Sequence, residues 1–264
     1  MSLAGFPKAW QPCLSGGALL RLAKNSMRWI HPYRGIFLCF ILAGCAAPVE
    51  TTPMRPRYVR MDWLGHESFL ITSSIGRKVL TNPYGPGTTD RSFPRGLRPD
   101  VLLVSTERSD ANYVDAFDNS PTTFRGAMGI GTNNAAGLRI RGVPTYKNPD
   151  REGEGGMNLV FAWSLEGMRF CFLGNIENPL TPWQIQQIGP VDVLFVPVGL
   201  PSGLTDVSRR TIAAQLSPRL IVPMGRPEAF PAFASQFPKV FRPRKPSILI
   251  SKEILPVEPM VLLF

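Results

Sequence analysis

From Val59 onward the chain breaks into short apolar runs divided by turn residues, with two stretches of helical character late in the sequence. Residues 59–64 and 68–72 read as strands joined through Gly65-His66-Glu67. Residues 78–81 form a third strand before the turn Asn82-Pro83-Tyr84-Gly85, which makes an antiparallel meander. The next run, Val101-Leu102-Leu103-Val104, has the make-up of a buried strand and enters a polar cluster from Ser105 to Tyr113. Thr106, Arg108 and Asp110 alternate in that cluster, so an extended backbone puts all three on one face. Loops at strand ends carry function disproportionately, although a capped strand end with a surface ion pair has the same pattern.

A glycine-rich segment over 126–137 precedes a strand at 138–141 and a polar loop at 146–156. Residues 158–163 and 168–173 form a hairpin about Glu166-Gly167. A well-marked helix follows: Thr181 at the N-cap, Pro182 at the first position, Gln184 completing a capping box and Gly189 beyond the end, with Trp183, Ile185 and Ile188 as its apolar face. Residues 191–198 are a buried strand, 205–216 a helix with Asp206 in its first turn, and 220–223 another strand. A short helix at 230–237 and a closing strand at 261–264 complete the order. Strands with helices interleaved predict an α/β layered domain, and no repeat period points to a solenoid.

Composition agrees with that class. The 264 residues are 44% hydrophobic and 18% charged, enough for a sizeable core and too apolar for disorder. The 27 prolines and 24 glycines fit a loop-rich α/β architecture better than a helical bundle.

The amino terminus changes the picture more. Arg28 and Arg34 precede the apolar run from Gly35 to Ala43, followed by Gly44-Cys45, which is the layout of a secretion signal. The run is too short to span a bilayer as a helix of about 20 residues. Leu42-Ala43-Gly44-Cys45 resembles the lipobox of bacterial lipoproteins, in which the cysteine is lipidated and becomes the first mature residue; the plainer alternative is a signal peptide with a chance cysteine. Met27 lies at the usual distance for a signal start, so translation beginning there would account for residues 1–26, and a genuine extension is the other possibility. Residues 1–44 thus read as leader and signal. The segment 45–57, with Pro48, Thr51, Thr52, Pro53 and Pro56, is an extended tether, and the folded domain occupies 58–264.

Removing 1–44 takes away Lys8, Arg21, Lys24, Arg28 and Arg34 and no acid, so the formal charge falls from +10 to +5. The remaining cations are densest near the end, at Arg219, Arg226, Lys239, Arg242, Arg244 and Lys245, but no nucleic-acid motif accompanies them and nucleic-acid binding is not expected. With Cys13 and Cys39 in the leader and Cys45 lipidated, Cys171 stands alone in an apolar run. It is expected in the core and not as a nucleophile, and no internal disulfide can form.

Several segments, in order, resemble the metallo-β-lactamase fold, and specifically its small bacterial hydrolases of the ascorbate-lactonase-like group. They are Trp63-Leu64-Gly65-His66-Glu67-Ser68-Phe69-Leu70-Ile71, Val79-Leu80-Thr81-Asn82-Pro83-Tyr84, the stretch 101–113, Leu173-Gly174-Asn175, Val191-Asp192-Val193-Leu194-Phe195-Val196-Pro197-Val198-Gly199 and Val222-Pro223-Met224-Gly225. The resemblance implies a four-layer αββα sandwich with a metal site at one edge of the two sheets. Active members bind one or two divalent metals, usually zinc, through His-x-His-x-Asp-His on the loop after a buried strand, with a further histidine, an aspartate and a last histidine from later strand ends. Zinc held by imidazole and carboxylate lowers the pKa of bound water and makes a nucleophile near neutral pH.

Carried over by position, that motif falls on Thr106, Arg108, Asp110 and Ala111, the next histidine on Lys147, the bridging aspartate on Asn175 and the last histidine on Gly225. Only Asp110 keeps its ligand type. His66, the one histidine outside the leader, is a supporting residue in this family or simply a satisfied turn histidine. Arg108 and Lys147 are fixed cations where the family places ligands, and a cation repels a dication. An Arg108–Asp110–Lys147 network standing in for the metal is therefore expected, against unconnected surface charges.

The function expected from sequence is a pseudoenzyme: a lipoprotein of the cell envelope, anchored through Cys45 to membrane lipid, facing the periplasm from the outer membrane, with no cofactor. It would act as a structural module or bind a small anion such as a carboxylate or phosphate through Arg108 and Lys147, with Asn175 and Thr106 as neutral donors. The alternative is a divergent hydrolase of esters, lactones or phosphoesters that uses Asp110 with ligands such as Glu107 or Asn175, a set suited to magnesium or manganese more than zinc. A metal-free nucleophile at Ser105 or Thr106 would have only His66 as a base.

Overall fold

The computed structural model describes residues 57–148, 156–200 and 204–264. The leader, Cys45 and nearly all of the tether lie outside the described residues, as does most of the polar loop after Tyr146. The chain divides into units at 1–52 and 53–264, and the second holds the fold.

Alternation in the first strands builds two faces of one sheet. In β1 (Val59–Gly65), β2 (Ser68–Ser73), β3 (Lys78–Thr81) and β4 (Val101–Leu103), the side chains of Met61, Trp63, Phe69, Ile71, Val79, Val101 and Leu103 enter the main core. Leu80 and Leu102, with Val104 just past β4, face the other way and form a second cluster with Phe117. That opposite face is covered by Phe93, Leu97 and the 3-10 turn Val114–Ala116, so among the described residues loops supply the outer layer there and no α-helix does. The short β5 (Thr122–Phe124) lies parallel to β4 at one edge.

The second sheet begins with β6 (Gly131–Ala135), β7 (Leu138–Tyr146), β8 (Met157–Leu165) and β9 (Met168–Phe172), an antiparallel series. The β8–β9 connection carries Glu166 at φ 50° and Gly167 at φ 77°, the two left-handed residues that a tight hairpin turn needs. Helix α1 (Pro182–Ile188) has the expected capping box: Thr181 Oγ1 accepts from the Gln184 amide and Gln184 Oε1 from the Thr181 amide. It packs on β7 and β8 through Ile185 and Ile188, while Trp183, expected on the apolar face, is exposed. The parallel strands β10 (Val193–Val198) and β11 (Leu220–Gly225) are buried on both faces, and between them α2 (Asp206–Leu216) is capped by Thr205 and packs through Ile212, Ala213 and Leu216.

The carboxyl-terminal part differs from expectation. Helix α3 is shorter, Phe230–Ala234. The last strand, β14 (Met260–Leu262), does not close a sheet: it sits between β11 and β12 (Val240–Phe241), which is the true edge. Its neighbour in sequence, β13 (Ser247–Ile250), joins the other sheet beside β1. The six-stranded and eight-stranded sheets face each other across the core, where Phe69 meets Phe195 at 4.8 Å between ring centroids. Cys171 is buried there, and burial pushes its thiol pKa up, as expected of a packing residue.

Candidate functional site

The ends of β4, β9, β10 and β11 and the β1–β2 turn converge on one edge of the sandwich. The turn is fixed first. Gly65 at φ 119° leaves no room for a Cβ, which would meet Tyr84 Oη at 2.8 Å, and the Tyr84 hydroxyl donates to the Leu64 carbonyl. His66 then takes φ 51°, and its carbonyl accepts from the Gly225 amide at 3.0 Å and from Trp63 Nε1 at 3.1 Å. The turn is thereby tied to the end of β11 in the opposite sheet.

Behind it lies a buried polar chain. Glu67 is 2% exposed; burial pushes its carboxyl pKa up, opposed by His66 and by Asn82, whose Nδ2 donates to it at 2.7 Å. Asn82 also donates to Ser105 Oγ and accepts from the Ser105 amide, both at 2.8 Å. The strand end that delivers the 105–113 loop is therefore pinned from beneath by side chains, and Leu159 of β8 donates to the Ser105 carbonyl from the second sheet.

On that support Arg108 grips Asp110 with two hydrogen bonds, Nε to Oδ1 at 3.0 Å and Nη2 to Oδ2. His66 Nε2 lies 3.5 Å from Asp110 Oδ2, and its Nδ1 is buried without a partner. Burial works against the Asp110 charge, but His66 and Arg108 outweigh it and hold the carboxyl at about 2. The expected triad is thus corrected at one member. Lys147 pairs at 3.6 Å with Glu177 and not with Asp110, and His66 takes the third place. His66 is accordingly more than a satisfied turn histidine.

The remaining expected positions divide around Arg108, which lines two cavities. One, of 490 Å³, is lined by His66, Asp110, Gly225, Arg91 and Arg226, with Arg91 lying 4.9 Å over the Trp63 ring. The other, of 350 Å³, brings together Thr106, Arg108, Lys147 and Asn175. Ala111 is 1% exposed and lines neither. Asn175 is held through its backbone, its amide donating to Asn158 Oδ1 at 2.9 Å, while its own Oδ1 is buried without a partner. Gly174 before it has φ 60°, and a Cβ there would lie 2.4 Å from Ser105 Oγ. Glu107, the alternative ligand, is engaged by Arg125 and Asn112, which lower its pKa against the effect of burial.

Sequence reasoning missed Asn82, Asn158 and Glu177 as site-building residues. Asn82 and Glu67 lay inside segments that carried the resemblance, so the signal was there; Asn158 and Glu177 had none. Among the described residues no group of three or more His, Cys, Asp or Glu side chains is placed to hold a metal ion.

Comparisons with known proteins agree with this architecture. No curated protein matches the chain. Among solved structures, a putative zinc-dependent hydrolase of the metallo-β-lactamase superfamily from Thermotoga maritima is similar at 26% identity and a TM-score of 0.59, over 77% of this chain and 97% of that one. A metallo hydrolase from the archaeon Ignicoccus hospitalis shares the fold at 17% identity and a TM-score of 0.51, over 74% and 99% of the two chains. A metallo-β-lactamase fold protein from Bacillus subtilis does so at 7% identity and a TM-score of 0.50, over 78% and 96%. The model of the beta-lactamase superfamily domain matches residues 60–225, from the first strand to the glycine that ends β11, and the chain belongs to that family.

Proposed function

We propose that this domain is a hydrolase scaffold turned to binding, and that it holds a small anion at the old catalytic edge without a metal. The observation that carries the proposal is the meeting of Thr106, Arg108, Lys147 and Asn175 on one 350 Å³ cavity, which Glu107, held by Arg125, and Glu177, paired with Lys147, also line. A carboxylate or phosphate there would take charge-assisted bonds from the two cations and a neutral bond from Thr106. Arg108 is preorganised for this by Asp110, which holds two of its nitrogens and leaves the rest of the guanidinium free to face the cavity. Lys147 must turn from Glu177 to the bound anion, leaving the Glu177 carboxylate to hydrate at the cavity mouth.

The same geometry suits zinc poorly. Both oxygens of Asp110 are taken by Arg108, and Lys147 stands at a ligand position as an ammonium with no lone pair to give. The hydrolase relatives keep a second reading in view, a divergent metal-dependent hydrolase of esters, lactones or phosphoesters centred on Asp110. Titration with small carboxylates and with inorganic phosphate separates the two. Lys147→Met is expected to weaken binding of the best anion about 10-fold to 100-fold, the loss of one charge-assisted hydrogen bond. Stoichiometric transition metal, with hydrolysis abolished in Asp110→Ala, would instead establish the second reading.

The proposal extends to location. Cys45 lies in a lipobox-like sequence, and we place the domain at the cell envelope, anchored by lipid and, in a Gram-negative host, facing the periplasm from the outer membrane, since Ala46 is not the aspartate associated with inner-membrane retention. No helix among the described residues is long and apolar enough to cross a membrane. A fatty-acid probe should label the full chain and fail to label Cys45→Ser; equal labelling of both would remove the anchor.

A further inference from the structure

We propose that the edge opposite the candidate site is a membrane-contact face, which rests on the bilayer through Ile75, Ile254 and Val257. The strand register puts these residues around the point where the chain enters the domain. Val59, the first residue of β1, pairs with Ser73 on one side and Ile250 on the other. Tyr58 therefore emerges between the turn that follows Ser73 and the turn that follows Ile250. Ile75 is at the tip of the first turn and Ile254 ends the second, closed by its amide bond to the Ser251 carbonyl. They are 65% and 66% exposed, and Val257 a few residues further on is 89% exposed.

Single exposed aliphatic residues are ordinary on a protein surface. Here three protrude from loops that flank one chain entry. Separate exposed tips on two loops fit a deformable apolar medium better than they fit a pocket or a second folded surface. The polar groups nearby suit the boundary of a bilayer with anionic headgroups: Arg57 and Arg77 line one shallow cavity with Ile75, and Lys239 pairs with Glu258, the residue after Val257. Three carboxylates lie in that region: Glu166 is held by the Ser74 amide and hydroxyl, Glu258 by Lys239, and Glu253, next to Ile254, by Ser251 with Arg57 nearby. Charge is close to balanced, so the aliphatic tips carry the contact and the arginines tune it.

The orientation rests on the anchor proposed at Cys45, whereas the face itself does not. Eleven residues lie between Cys45 and Arg57, a reach of at most about 40 Å when fully extended. An anchored domain stays within that distance of the bilayer, with the edge that bears Tyr58 as its leashed side and the Arg108 cavities turned to the aqueous space.

The test uses the processed full chain carrying Val257→Cys, labelled with an environment-sensitive fluorophore and reconstituted in phosphatidylethanolamine–phosphatidylglycerol vesicles. Cys171 is buried and does not compete for label. Mass spectrometry on the same sample reads the lipid at Cys45. The expected result is at least fivefold protection of the probe from aqueous iodide, loss of that protection when Ile75→Asp and Ile254→Asp are added, and no protection of a probe at Met128→Cys, a 77% exposed residue on the 3-10 turn Gly126–Gly129 beside the candidate site. Equal iodide access at 257 and 128 on a chain that carries lipid overturns the face and leaves the anchor standing. A chain without lipid overturns the anchor alone; remade with Cys13, Cys39 and Cys45 changed to Ser so that only residue 257 takes label, and added to vesicles from solution, it supports the face if the 257 probe is still protected and overturns it if the probe stays fully accessible.

Discussion

A Gly225→His variant, which puts back the last histidine of the family pattern, is expected to melt about 6–12 °C below the parent chain and to gain no zinc affinity. Gly225 ends β11 with φ 118°, a backbone conformation that L side chains rarely adopt. Any Cβ there would sit 2.5 Å from the Val198 carbonyl oxygen and 2.8 Å from Leu200 Cγ. The first neighbour is backbone of the adjacent strand and cannot turn away. Strain and overpacking each cost on the order of 1–3 kcal/mol, so about 3 kcal/mol together is a moderate sum. The glycine is more than a missing ligand: the β1–β2 turn has settled against it, with the Gly225 amide donating to His66. Thermal unfolding and a zinc titration on the same sample check the result. A variant that melts with the parent and takes up one equivalent of zinc would show that the backbone has kept room for the ligand.

Local chemistry was legible in the sequence, and contacts between distant segments were not. The Thr181–Gln184 cap and the Glu166-Gly167 turn were legible because their chemistry is local, a side chain bonding a backbone group a few residues away. Buried strands such as β10 were legible because both faces are apolar. Strands β5 and β6 were not: Thr122-Thr123-Phe124 and Gly131-Thr132-Asn133-Asn134-Ala135 are largely polar or small and lie at or near sheet edges, where pairing and not burial makes the strand. The carboxyl-terminal order failed for a related reason, since which sheet β13 joins depends on partners remote in sequence.

At the site, position in the family pattern located the Arg108–Asp110 pair, and proximity along the loop made it plausible. Nothing local indicated that His66 would reach Asp110 or that Glu177 would take Lys147. The first joins the β1–β2 turn to the loop after β4 within one sheet, and the second joins the loops after β7 and β9 within the other, so both depend on strand order across a sheet and not on neighbours in sequence. The replacements at Thr106, Arg108, Lys147 and Asn175 were visible as identities, but their sharing of one cavity, apart from Gly225, was not.

At the other edge, Asp192→Ala should lower stability by about 3 kcal/mol at neutral pH and leave anion binding at the Arg108 cavity unchanged. Asp192 opens the turn into β10, and its side chain is 2% exposed. It accepts from the Arg169 amide at 2.8 Å, from Arg169 Nε at 3.0 Å and Nη2 at 3.1 Å, and from Lys252 Nζ at 2.6 Å. Its backbone bonds Arg169 and both Arg219 and Leu220, so one residue ties together β9, β11 and the turn after β13. The two cations are 43% and 36% exposed and can hydrate when the carboxylate goes, which keeps the loss below the upper range for a buried pair. Burial alone would raise the Asp192 pKa, but Arg169 and Lys252 outweigh it and hold the carboxyl well below its usual range. A pKa lower in the folded than in the unfolded chain gives stability that is complete above about pH 4 and shrinks as the pH falls through the folded value. The gap between parent and variant should therefore be widest at pH 7 and narrower at pH 3, measured by urea unfolding at both. An unchanged gap would remove the charge from the account and leave only shape, while weakened anion binding in the variant would show that this edge and the candidate site are not independent.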